Sequence, residues 1–222
     1  MTMVTGHLIA VIGSSPGVGK STLCRALARR AAESGATVDH FEEADILSRP
    51  SFRPVAEEFA GGSGSVRPAT LVDSTRDYVA KARAEGVDVL VTDALLPFIP
   101  SLVAWGHDES AIAAVLDELA PAVRPTRVTV VYLRDDPDTA LRRAVEREGP
   151  QWVDWYVTKL GAAPGTRSVK DLASAAEHLR REEELTVRLL ARTDWHVLSV
   201  DVGGLDAEQT ERYVRENLPD LW

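Results

Sequence analysis

The chain has 222 residues, 45% of them hydrophobic, enough to fill one core and too few for two large catalytic domains. A formal net charge of −9 sets it apart from proteins that grip nucleic acid or acidic membranes, which need a basic footprint. A lone cysteine, Cys24, leaves no internal disulfide framework, and no run approaches the ~18 apolar residues of a membrane span. The expectation is one domain over residues 1–222 that acts on small molecules, as a monomer or homodimer, with no nucleic-acid or membrane partner. Met1 to His7 lacks the basic start and long apolar run of a secretion signal, so a cytoplasmic location is expected.

Leu8 to Ile12 is an apolar run that ends in glycine and reads as a strand. Ser21 to Ser34, with Leu23, Ala26, Leu27 and Ala31 at helical spacing, reads as a helix that stops at Gly35. Thr37 to Phe41 is a second strand. Residues 45–68 carry Pro50, Pro54 and the run Gly61-Gly62-Ser63-Gly64-Ser65, a composition that predicts a mobile loop with no packed element. A helix over Leu71 to Glu85 leads to a third strand, Val87 to Asp93, apolar nearly throughout as in a strand covered on both faces. A helix over Ser110 to Leu119, a strand over Arg127 to Leu133 and a helix over Pro137 to Glu148 follow. Two helical stretches near 151–160 and 170–192 precede the last strand, Trp195 to Val200, and a helix over Asp206 to Asn217. The alternation predicts an α/β, doubly wound parallel sheet of about five strands with helices on both faces.

Between the first strand and helix lies Gly13-Ser14-Ser15-Pro16-Gly17-Val18-Gly19-Lys20-Ser21, a phosphate-binding P-loop. A strand that turns through glycines into a helix aims backbone N–H groups and the positive end of the helix dipole at one point. Ser15, Gly17, Val18, Gly19, Lys20, Ser21 and Thr22 are therefore the expected ATP-binding residues. Lys20 would meet the β- and γ-phosphates, and Ser21 would help to hold Mg²⁺. The strict pattern has glycine where this chain has Ser14. Guanine-nucleotide switches need Asn-Lys-x-Asp, which is absent, and dimeric ParA-like ATPases carry a lysine where this chain has Ser15. Asp201-Val202-Gly203-Gly204 matches Asp-x-x-Gly but follows the final strand, and is read as coincidence.

From strand Val128 to Leu133, through Arg134-Asp135-Asp136-Pro137, to a helix carrying Arg142, Arg143 and Arg147, the layout resembles the P-loop kinases of nucleosides, nucleotides and small molecules, antibiotic phosphotransferase-like members included. The resemblance implies a helical lid over about 134–168, an acceptor-binding segment over about 42–85, and Arg143 or Arg147 as a catalytic arginine. Guanidinium forks suit the charge that develops on a departing phosphoryl group. It also favours Asp45 as the base for the acceptor hydroxyl, with Glu42 and Glu43 behind it. Asp93, at the end of the third strand, is the candidate Mg²⁺ residue alongside Ser21, or an alternative base. Arg49, Arg53 and Trp152 complete the candidate substrate contacts. The alternative for Arg142, Arg143 and Arg147 is solvated i,i+4 pairing with Asp138 or Glu146, such as Asp138 with Arg142.

The function expected is an ATP- and Mg²⁺-dependent kinase acting on a small-molecule hydroxyl, a nucleoside-like compound or antibiotic among the options. A nucleoside-monophosphate kinase and a regulatory ATPase are the alternatives. From Asp39 to Phe59 six acids (Asp39, Glu42, Glu43, Asp45, Glu57, Glu58) face two arginines, which favours a neutral or cationic acceptor over a monophosphate.

Overall fold

In a computed structural model, which describes residues 6–218, five strands form one parallel sheet in the order β2-β3-β1-β4-β5. They are β1 (His7–Gly13), β2 (Val38–Phe41), β3 (Val89–Thr92), β4 (Arg127–Arg134) and β5 (His196–Asp201). β1 lies in register between β3 and β4, with Ala10 opposite both Thr92 and Val130. Period-two alternation divides its side chains. Leu8 and Ala10 enter one core, while Ile9 and Val11 enter the other.

The first core lies under α3 (Pro68–Ala84), α4 (Ile99–Ala104), α5 (Glu109–Ala122) and the end of α8 (Leu172–Leu190); the second lies under α1 (Lys20–Glu33) and α9 (Ala207–Asn217). A third cluster, with Leu141, Tyr156, Val169 and Leu179, knits α6 (Pro137–Glu148) and α7 (Gln151–Ala162) to α8. Every helix that precedes a strand runs back across the sheet. The starts of α3, α5 and α8 therefore share the carboxyl edge with the P-loop, where open α/β sheets bind ligands. Among the described residues no helix is long and apolar enough to cross a membrane. The opening residues read as lacking a secretion signal lie largely outside those described.

The segment 45–68 is not the unpacked loop its composition predicts. It folds as 3-10 turns over Glu43–Leu47 and Pro50–Phe52, α2 (Arg53–Glu58) and a π-helical turn over Phe59–Ser63. Pro50 and Pro54 stand in first turns, where the missing N–H costs nothing. Phe52 and Val55 are buried in the first core. At roughly 1.5–3 kcal/mol for each buried side chain, they offset the ordering of several residues. Phe52 also meets the Phe41 ring at a tilt, with centroids 5.0 Å apart, and Tyr78 edge-on at 6.1 Å. The second element not expected from sequence is α4, whose Ile99 and Leu102 are fully buried.

Glu58 closes the glycine-rich turn. Its carboxylate accepts from Arg67 N at 2.9 Å, Arg67 Nε at 2.8 Å and Thr70 Oγ1 at 2.7 Å, which pins α2 to the start of α3. The Arg67 side chain first, then its N–H and Thr70, hold the carboxyl at about 2 against an ordinary 4.5. A depressed carboxyl stabilises the fold above its unfolded pKa and loses that contribution as pH falls through the folded one. Thermal midpoints of wild type and Glu58→Gln are therefore expected to differ at pH 7, converge below pH 4.5 and coincide near pH 2. A gap that persists at pH 2 would show that the anchor is not ionic.

Candidate active site

β1 delivers Gly13 to the carboxyl edge, where Ser14 N donates to Leu133 O at 2.9 Å. A Cβ on Gly13 would fall 2.3 Å from Val18 Cγ2 and 3.1 Å from Lys20 Cγ, so glycine here lets both side chains fold across the strand end. Gly17 and Gly19 take left-handed φ of +79° and +98°. Gly19 caps α1 with no side-chain hydrogen bond and the first turn holds no acid, so the helix start is left to an incoming anion. Ser14, which departs from the strict pattern, keeps an ordinary φ. It is buried, and its hydroxyl accepts from Asp135 N at 3.2 Å, tying the cradle to the turn after β4.

Ser21 Oγ donates to Asp93 Oδ2 at 2.6 Å, so the first turn of α1 and the end of β3 meet beneath the cradle. Asp93 Oδ1 is buried without a hydrogen-bond partner, as is Ser15 Oγ. An orphaned carboxylate oxygen beside a serine hydroxyl fits a divalent cation or its water shell. Among the described residues no group of three or more His, Cys, Asp or Glu gathers to hold a metal alone, so a cation here would share its coordination with phosphate oxygens. Cys24, one turn along α1, is buried beside this pair. Burial first, then Asp93, push its thiol far above the ordinary range, which leaves it an inert core residue.

The lid arginines have separate positions. Arg147 lays its guanidinium on the crest of the P-loop, Nη1 being 3.0 Å from where a Cβ on Gly17 would stand, and its Nε donates to Glu148 at 2.7 Å. Arg143, one turn earlier, donates to Asp135 Oδ2 at 2.8 Å and Gly203 O at 3.1 Å, bridging the turns after β4 and β5. Arg142 reaches Thr139 instead of Asp138, which pairs with Arg180. Beside Arg143 is a cavity of about 210 Å³, bounded by Gly17, Val18, Gly19, Thr22, Val202 and Leu205. Asp135, Val202, Gly203 and Leu205 were not found from sequence. Asp135 carried the signal used for Asp93, an acid at the end of an apolar strand, and Val202 and Gly203 stand in the Asp-x-x-Gly run read as coincidence.

On the acceptor side, Arg49 is spent within the protein. It forks onto Asp39 at 2.8 and 3.1 Å, donates to His40 O, and lies over the Phe41 and Tyr78 rings at 5.7 and 5.9 Å. Tyr78 donates to the same carboxylate at 2.8 Å, and burial with that bond pushes its phenol well above the ordinary range. Arg53 is exposed and paired with Glu57 at 2.7 Å. Asp45 accepts Glu42 N at 3.1 Å and lies 3.4 Å from Arg49, so its carboxylate shapes the turn after β2. Glu42 meets Arg25 at 3.0 Å and is close enough to influence the Cys24 thiol, as Asp93 and Lys20 do. Glu43 is exposed. Trp152 stacks on Tyr156 at 4.5 Å and 11° and packs on the third cluster, between α6, α7 and α8.

This is a P-loop kinase-like fold. No protein-family model matches the chain, and no curated protein matches it. Among solved structures, thymidylate kinase from Candida albicans aligns with 99% of this chain and 93% of its own, at 17% identity and TM-score 0.55. A protein designated APE1195 aligns with 99% of this chain and 98% of its own, at 14% identity and TM-score 0.51.

Proposed function

We propose that the chain is an ATP- and Mg²⁺-dependent kinase that phosphorylates a hydroxyl of a small molecule bearing no phosphate of its own. One observation carries it: Arg147 lies on the crest of the P-loop at Gly17, the Lys20 stem folds across Gly13, and the Ser21–Asp93 pair meets beneath the same cradle. ATP seated in the cradle supplies the phosphoryl group, and Mg²⁺ offsets its charge. Lys20 and the N–H groups of the cradle hold the phosphates, while Ser21 and Asp93 hold the cation. Arg147 stabilises charge as it moves onto the bridging oxygen, and Arg143 holds the nucleotide side of the lid through Asp135 and Gly203. Asp45 is held by Glu42 N and Arg49, whereas the more exposed Glu42 carboxylate meets the exposed Arg25 on the helix that follows the P-loop, so we assign uptake of the hydroxyl proton to Glu42, and to Asp45 the shaping of the turn that carries it.

A nucleoside-monophosphate kinase is the second reading, favoured by the likeness in shape to a thymidylate kinase. Against it, Arg49, Arg53 and Arg67 are each paired with a carboxylate, whereas a monophosphate needs clustered free guanidinium groups. ADP release measured over nucleosides, nucleoside monophosphates, sugars and hydroxylated antibiotics tests both. Stimulation by an unphosphorylated alcohol is expected, with Glu42→Gln lowering kcat about 100-fold and leaving the KM for ATP nearly unchanged. A higher kcat/KM for any monophosphate would install the second reading, and hydrolysis indifferent to every compound would point to a regulatory ATPase.

A further inference from the structure

A second cavity, of about 640 Å³, opens on the carboxyl edge between the start of α3 and the turn joining α4 to α5. Its volume lies in the range that suits small ligands. It is lined by Glu58, Ser65, Val66, Arg67 and Pro68 from the segment leading into α3 and by Trp105 and His107 from the turn after α4. Both rings are half-buried, and neither is tied up by a side-chain hydrogen bond to another described residue. The lining thus combines an indole, two apolar side chains, a serine, an imidazole able to donate or accept, and an ion pair whose charges cancel.

Each feature narrows the ligand. A phosphate or carboxylate would need an unspent cation, and Arg67 is held by Glu58 through Nε and Nη2. An ammonium would need an unspent acid, and Glu58 is saturated by Arg67 and Thr70. What remains suited is a flat, uncharged ring whose face lies on Trp105 and whose edge carries hydroxyl or amide groups for His107. We infer that this cleft is a ring-binding subsite for a neutral, hydroxylated heterocycle or glycoside, and that Trp105 decides which rings are held. Placing the reacting hydroxyl toward Arg147 rests on the kinase reading given above; binding of the ring does not.

The cleft is also joined to the lid. Gly106, between the two rings in sequence, packs on Pro164, and a Cβ on Gly165 would stand 1.8 Å from Val103 O. The backbone bearing Trp105 therefore lies directly against the 3-10 turn Pro164–Thr166 at the end of the lid.

Equilibrium binding of thymidine, adenosine and p-nitrophenyl β-D-glucopyranoside to the Lys20→Ala protein, read by calorimetry without ATP, tests the subsite apart from catalysis. At least one ring is expected to bind, with Kd raised about tenfold or more by Trp105→Ala in that background and restored to within about threefold by Trp105→Phe. His107→Ala, which removes no ring platform, should weaken binding by less. Failure of all three rings to bind, equal binding by the Trp105→Ala protein, or tighter binding of thymidine monophosphate than of thymidine would each overturn the assignment. If Trp105→Ala does not fold, Trp105→Leu, which keeps apolar bulk and removes the aromatic face, takes its place, and an unchanged Kd there overturns the assignment as well. A wild-type protein that binds a ring but transfers no phosphoryl group from ATP to any compound would sink the kinase reading and leave the subsite standing.

Discussion

Lys20→Ala is expected to lower phosphoryl transfer about 1,000-fold while shifting stability by no more than about 0.5 kcal/mol. The two effects separate because of where the side chain lies. Its stem crosses Gly13 and its head group is part-exposed above the cradle, so truncation opens no cavity in either core. What is lost is a cation fixed where charge accumulates during transfer. Single-turnover rates with saturating ATP, together with a thermal melt, decide it. A folded variant with undiminished turnover would remove the P-loop from the chemistry.

The second large effect separates two arginines on one helix face. Arg147→Ala is expected to cost about 1,000-fold in kcat with little change in melting, since Arg147 is half-exposed and, among the described residues, its only ion pair is with its neighbour Glu148. Arg143→Ala should do the reverse in part. Its partner Asp135 has a side chain only 3% exposed, and removing the cation leaves that carboxylate with Asp136 N as its remaining hydrogen bond. A loss of about 2 kcal/mol is expected, below the ~3–5 kcal/mol of a fully buried pair because Arg143 is itself half-exposed. Its kinetic defect should fall mainly on the KM for ATP. Equal kcat losses with equal melting would mean that the lid carries no division of labour.

The pattern of what could be read from sequence follows from the range of the forces involved. Strands β1, β3 and β4 declare themselves because each is apolar along its length, and the P-loop because glycine placement is a local, steric requirement. The turns over 43–63 do not, because Phe52 and Val55 gain their burial from Phe41 and Tyr78, distant in sequence. Spacing could place Arg143 and Arg147 on one face, as residues four apart must be, but not say that Asp135 would claim one of them. Likewise it identified an acid-rich turn after β2 without revealing that Asp45 folds back on Glu42 N while Glu42 turns toward Arg25.

The contact between Gly165 and Val103 makes the lid asymmetric as a mechanical part. One end is bolted: its backbone is packed so closely on α4 that even a methyl group cannot be inserted. At the other end, between α6 and α7, Gly149 sits at φ +87° with no such partner element. Because α6 is also packed on α8 through the Leu141–Leu179 cluster, a change in its angle to the P-loop would involve that packing as well as Gly149, while Pro164 to Thr166 stays with the wall that carries Trp105. A pair of spectroscopic labels spanning α6 and α1 would register opening and closing, whereas a pair spanning residues 103 and 165 would keep a fixed separation throughout the cycle.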